Sequence, residues 1–195
     1  MLTSLRLYKK GNVKTMDFTE KTLSQKYHFK GKIMSARVDE IELPNGKKSI
    51  REVCEHVGGV GVLPIDENGN IILVRQFRYP YKEVIYEIPA GKLDHGAEDI
   101  ESCGRRELKE ETGYTAENIV SLGQVYPSAG FLTEIVYLYV ATGLKAGETQ
   151  PDEDEFVECV SMPFSVVEEK IANDEIRDAK TVMAVYRAKL KGFIK

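Results

Sequence analysis

The sequence predicts an α/β protein of mixed strands and helices, with a small antiparallel β unit at its N-terminus. Three observations carry that prediction. Up to about Val57 the chain holds short strand-like segments separated by turn residues; from Val60 it enters long apolar runs; and three stretches have helical composition and readable ends. The expected division is a β unit over residues 1–57 and a main domain over residues 58–195.

Taken in order, the first predicted strands are Ile33 to Leu43 and Lys48 to Glu55, with Pro44, Asn45 and Gly46 supplying the turn between them. The run GVGVLPIDENGNIILVRQFRYP then gives a strand, a turn at Asp66 to Asn70 and a second strand, with the apolar density of a sheet covered on both faces. Phe77, Tyr79 and Tyr81 could offer ring faces to a planar ligand, but such aromatics more often pack on a sheet, and that is the expectation. A helix is predicted over Glu98 to Thr112, stopped by Gly113. Strands follow at Ile119 to Tyr126 and Glu134 to Thr142, then an acidic loop, Pro151 to Glu155, and a strand at Phe156 to Ser161. Helices at Pro163 to Ala172 and Ala179 to Lys191 close the chain, the second capped by Asp178 and stopped by Gly192. No repeat recurs at a fixed period.

With 195 residues the chain can bury a sizeable core. Its 42% hydrophobic and 30% charged content, without low-complexity tracts, disfavours disorder, collagen and coiled coil. The longest apolar stretch, Ile135 to Ala141, falls well short of the roughly 20 residues a membrane helix needs, and no signal-peptide apolar region is evident. Membrane insertion and secretion are not expected. Three scattered cysteines, Cys54, Cys103 and Cys159, form neither a disulfide framework nor a zinc pattern and suit a reducing cytoplasm. The net charge of −4 is segregated: residues 1–56 hold 12 Lys/Arg against 7 Asp/Glu, leaving 15 against 24 for the rest. The N-terminal lysines are spread among strands rather than massed, so a nucleic-acid arm is disfavoured.

The chemistry concentrates in GKLDHGAEDIESCGRRELKEETGY, Gly91 to Tyr114. On a helix turning about 100° per residue, Glu107 and Glu111 share one side and Glu110 lies beside them. Ile100, Gly104 and Leu108 form the neighbouring apolar stripe, so the acidic edge borders the buried face. Arg106 stands four residues before Glu110 and can pair with it. Carboxylates about 5 Å apart repel by roughly 3 kcal/mol per pair at an effective dielectric near 20, and a divalent cation is the usual reason to gather them. Mg²⁺ suits hard oxygen ligands and leaves positions open for phosphate oxygens.

This segment closely resembles the signature box of the Nudix hydrolases, with Gly91, Glu98, Arg106–Glu107, Glu110–Glu111 and Gly113 at the family's positions. Six residues rather than five separate Gly91 from Glu98, an insertion confined to the loop before the helix. Outside the box, Arg51 in SIREVCEHV, Arg78 in VRQFRYP, Glu134 in PSAGFLTE and the loop PDEDEFVE resemble the ADP-ribose pyrophosphatase branch. That branch commonly has Ser-Pro-Gly-Phe where this chain has Ser128, Ala129, Gly130 and Phe131.

The resemblance implies an α/β/α sandwich with a mixed sheet, and a homodimer that swaps its N-terminal β unit. It implies metal ligation by Glu107, Glu111 and Glu110, the carbonyl of Ala90, and Glu155. Arg106 would steady the catalytic cluster, and Glu153 would be the leading candidate for general base; Glu153 and Glu155 alternate along the loop, and sequence does not choose between them. Arg51, Arg78 and Glu134 would bind substrate, the arginines by forking onto diphosphate oxygens. The implied reaction is Mg²⁺-dependent hydrolysis, with Mn²⁺ as a substitute, of ADP-ribose or a related nucleoside diphosphate sugar to AMP and a sugar phosphate. Alternatives are GDP-mannose or another sugar nucleotide as substrate, or a non-catalytic nucleotide sensor, which would be expected to have lost the box glutamates.

Overall fold

A computed structural model of the chain describes residues 17–93, 99–149 and 156–194. Its first three strands, β1 (Lys21–Lys30), β2 (Ser35–Glu42) and β3 (Lys48–Glu55), form an antiparallel sheet in that order. The β2–β3 turn falls at the expected residues: Gly46 takes φ +78°, and the Leu43 N–H donates to the Lys47 carbonyl at 2.8 Å. Strand β1 was not foreseen. Its sequence, KTLSQKYHFK, is mostly polar, and two irregularities in its pairing with β2 break the alternation that would announce a strand.

The main domain contains β4 (Gly59–Pro64), β5 (Asn70–Arg78), β6 (Glu83–Glu87), β7 (Ala90–Lys92), α1 (Ile100–Thr112), β8 (Thr115–Val125), β9 (Val136–Lys145), β10 (Glu158–Pro163), α2 (Phe164–Ala172) and α3 (Ala179–Leu190). Strands β7, β4, β9 and β8 form a mixed sheet in which β4 and β9 run parallel; β10, β5 and β6 form an antiparallel one. All six residues of β4 are buried, as the apolar run required. One of its faces meets the larger core, where Leu63, Leu138 and Val140 pack with Ile71, Leu73 and Ile88 against Val167, Ala184 and Val185 of α2 and α3. The other meets α1 through Val62, Leu108 and Ala141. The mixed sheet therefore lies between α1 and α3, an α/β/α sandwich.

Helix α1 starts where Asp99 caps it, accepting from the Ser102 N–H at 3.0 Å, and ends at Gly113 with φ +74°. It rides close to the sheet: a Cβ on Gly104 would stand 3.1–3.2 Å from the Val62 and Val60 methyls. Asp178 caps α3 as expected, accepting from the Thr181 N–H at 2.9 Å. One expectation fails. Phe77, Tyr79 and Tyr81 are 54%, 73% and 72% exposed, because the β5–β6 hairpin continues to Arg78 while β10 pairs with β5 only as far as Arg75.

Candidate active site

Helix α1 lays its acidic edge along a cleft of about 890 Å³. The apolar stripe that seats the helix on β4 carries the neighbouring glutamates inward, so Glu107 is only 9% exposed and Glu111 4%. Glu111 accepts the Ala90 N–H at 3.1 Å. The Glu107 carboxylate fills the space over Gly91, where any Cβ would fall on it. Arg106 Nη1 lies 2.8 Å from Glu107 Oε1 and donates to Glu110 Oε2 at 2.7 Å. Partial burial works against its charge, but the two carboxylates outweigh this and hold the guanidinium above its ordinary pKa.

Arg78 from β5 and Lys180 from α3 line the same cleft, as do Glu134, ahead of β9, and His56, between β3 and β4. His56 Nδ1 accepts the Gly58 N–H at 3.1 Å and stands 3.5 Å from Glu134 Oε1. Arg78 Nε donates to Glu87 at 2.7 Å; burial opposes its charge, and the Glu87 hydrogen bond and charge reverse the balance and raise its pKa.

Of the residues singled out from sequence, Ala90, Arg106, Glu107, Glu110, Glu111, Arg78 and Glu134 thus come together. Arg51 does not line this cleft. It sits on β3, paired with Glu20 and donating to the Ile50 carbonyl at 2.9 Å. Glu98, Glu153 and Glu155 lie outside the described residues. The Ser128–Phe131 turn, lacking the branch's proline, is closed instead by the Leu132 N–H donating to the Ser128 carbonyl at 3.1 Å, and Phe131 accepts the Cys54 N–H at 2.8 Å. Sequence reasoning missed His56, Lys180 and Glu87. For Lys180 a signal existed, its place in the first turn of a helix capped by Asp178; Glu87, three residues before Ala90, gave none.

Among the described residues no three acidic, histidine or cysteine side chains converge as a finished metal cage, and Arg106 holds Glu107 and Glu110. The donor set still fits a hard divalent cation: two largely buried carboxylates one turn apart, a third beside them, and a glycine that leaves room for them.

A sandwich with a glutamate-rich helix on a cleft that also carries an arginine and a lysine defines a hydrolase class, and the comparisons with known proteins agree. Residues 55–185 match the NUDIX domain, and residues 20–54 match the nucleoside diphosphate sugar hydrolase N-terminal domain. The chain belongs to the Nudix hydrolase family, whose members generally use a divalent metal. It is 43% identical over 174 residues to the ADP-ribose pyrophosphatase of Bacillus subtilis (strain 168), covering 88% of this chain and 94% of that one. It is 42% identical over 180 residues to the methanol dehydrogenase activator of Bacillus methanolicus, covering 91% and 97%. A GDP-mannose pyrophosphatase of Yersinia enterocolitica is 34% identical over 158 residues, covering 76% and 82%. The crystal structure of an ADP compounds hydrolase shares the fold at 20% identity, with a TM-score of 0.79 over 93% of this chain and 100% of that one.

Proposed function

We propose that this protein hydrolyses the diphosphate bond of ADP-ribose, or of a related nucleoside diphosphate sugar, with Mg²⁺, releasing AMP and ribose 5-phosphate or the corresponding sugar phosphate; Mn²⁺ would substitute. The observation that carries the reading is the gathering of Glu107, Glu110 and Glu111 into the cleft that Arg78 also lines. Glu107, Glu111, Glu110 and the Ala90 carbonyl would hold the metal with Glu155, and Arg106 would keep the helix carboxylates aligned. Bound there, the cation would neutralise diphosphate charge and acidify an attacking water. Glu153, on the same loop as Glu155, is our candidate to take the proton from that water, which adds to one phosphorus as the bridging P–O bond breaks. Arg78 would fork onto phosphate oxygens and Glu134 would contact the substrate.

Arg51 enters in the same proposal through a homodimer that exchanges the unit of residues 1–57 against the domain of residues 58–195. Two facts support this: Arg51 is off its own chain's cleft, and every residue of β1 is exposed. A cytoplasmic location fits three cysteines with no disulfide between them, and among the described residues no helix is long and apolar enough to cross a membrane. The similarity to a GDP-mannose pyrophosphatase favours a second reading, with GDP-mannose as substrate. A panel of ADP-ribose, GDP-mannose, NADH and nucleoside triphosphates with Mg²⁺, resolved by product analysis, separates these. ADP-ribose turning over best is expected. Nucleotide binding with no turnover of any diphosphate would leave the sensor reading instead.

A further inference from the structure

We infer that Glu87 is a positioning residue that holds Arg78 and Lys180 together as one diphosphate-binding unit on the cleft wall. The inference rests on the proposed diphosphate chemistry. Glu87, the last residue of β6, is 2% exposed, and each of its oxygens has a cation: Oε2 accepts from Arg78 Nε at 2.7 Å and Oε1 from Lys180 Nζ at 2.6 Å. Both cations line the cleft, while Glu87 does not. A buried carboxylate touching no cleft space but fixing two cations that do is placed to act through them.

The way Arg78 is held matters. Glu87 accepts the hydrogen bond that Arg78 Nε–H donates, and the two terminal nitrogens have no hydrogen-bond partner among the described residues. That edge of the guanidinium is the one able to meet two oxygens of a phosphate group, and anchoring at Nε fixes its direction before ligand arrives. Lys180 is steadied from a second side by Asp178 Oδ1 at 3.1 Å. Asp178 also accepts from Thr181 Oγ1 at 2.6 Å, and Thr181 Oγ1 in turn accepts the Ile88 N–H at 2.8 Å. The residue after Glu87 is therefore tied to the start of α3, where Lys180 lies. These links fix the distance between strand and helix, and with it the spacing of the two cations. The four charged groups sum to zero, so Glu87 contributes geometry rather than net attraction.

The test compares the parent with E87Q in two backgrounds. An amide has one acceptor end and one donor end, so the substituted side chain can satisfy one of the two cations and must turn a donor toward the other. Inorganic pyrophosphate with Mg²⁺, titrated calorimetrically well below the melting temperature, is predicted to bind E87Q about tenfold more weakly, the usual scale for a lost charged hydrogen bond. For the sugar nucleotide, KM should rise by more than kcat falls. In an R78K background, which lacks the Nε anchor, the same substitution should cost no more than about threefold. Unchanged pyrophosphate affinity, or an equal loss in both backgrounds, would overturn the inference. Should E87Q not fold, K180M leaves the Arg78–Glu87 pair in place: about fivefold weaker pyrophosphate binding, restored in K180R, is expected, and parent-like binding by K180M would overturn it. A parent protein that splits no diphosphate sugar would end the functional reading, while the pyrophosphate titration would still judge Glu87.

Discussion

Strand β4 is buried at all six of its positions and strand β1 is exposed at all ten. Between them they mark two ways of holding a sheet together. The main domain has helices on both faces of its mixed sheet and an apolar core that continues through both faces. The N-terminal sheet has a single well-buried aliphatic side chain, Ile41, among its described residues, and relies on backbone ladders and a polar set in which Asp39 accepts from Arg37 at 2.9 Å and from Gln25 at 3.1 Å. A ten-residue edge strand carrying exposed Leu23, Tyr27 and Phe29 is an unprotected template for pairing, which proteins normally cover. Among the described residues the main domain is self-sufficient in burial and the N-terminal sheet is not, and it is on this difference that the proposed exchange would depend.

The largest effect should come from the self-sufficient region. Glu111→Gln keeps the shape, and its amide oxygen can still accept the Ala90 N–H, so thermal unfolding should barely move. Activity should fall about a thousandfold, the several kcal/mol that a cation supplies to transition-state charge. Activity within a few fold of the parent would show that Glu111 does not hold the proposed metal. Gly91→Ala tests the same wall from the strand side. Its Cβ would fall on the Glu107 carboxylate and push it aside, and a misplacement of that size costs activity about a hundredfold. Circular dichroism should remain that of the parent, because the displaced group is a side-chain end rather than backbone.

The N-terminal unit should respond differently. Arg51→Ala is expected to raise KM about tenfold, the loss of a charge-assisted fork on phosphate. If Arg51 serves the partner's cleft, mixing Arg51→Ala with Glu111→Gln protomers under exchange, assayed well below KM, should raise activity from about a twentieth to about a quarter of the parental value: half the dimers are mixed, and each of those has one intact site. No gain on mixing, or a monomer by light scattering, would place Arg51 outside the active site.

How much the sequence disclosed follows the same divide. Strands β4, β5 and β9 and helices α1 to α3 were legible because their burial is set by apolar period and their ends by residues such as Gly113 and Asp178, which are local signals. Glu107, Glu110 and Glu111 were legible because helical spacing alone puts them on one edge. Strands β6 and β7 were not, being five and three residues long, and β1 hides behind lysine and serine. Lys180 and His56 reach the cleft through long-range packing that no local pattern encodes, and Glu87 acts from behind its wall.

The polar set of the N-terminal sheet should give the mildest response. Burial alone would raise the Asp39 pKa, but hydrogen bonds from Arg37 and Gln25 outweigh it and hold the carboxyl below its ordinary value of 3.8. A carboxylate depressed in the folded state adds stability that is complete above its unfolded pKa and is lost as pH falls through the folded one. The N-terminal sheet should therefore weaken below about pH 4, where the unfolded carboxylate begins to take up its proton. Asp39→Asn should remove that part of the acid dependence while lowering stability slightly at neutral pH. Thermal melts from pH 7 down to pH 3 check this. An unchanged acid slope in the variant would mean that Asp39 is not what holds β1 to β2, and that burial against another surface does more of that work than the polar set.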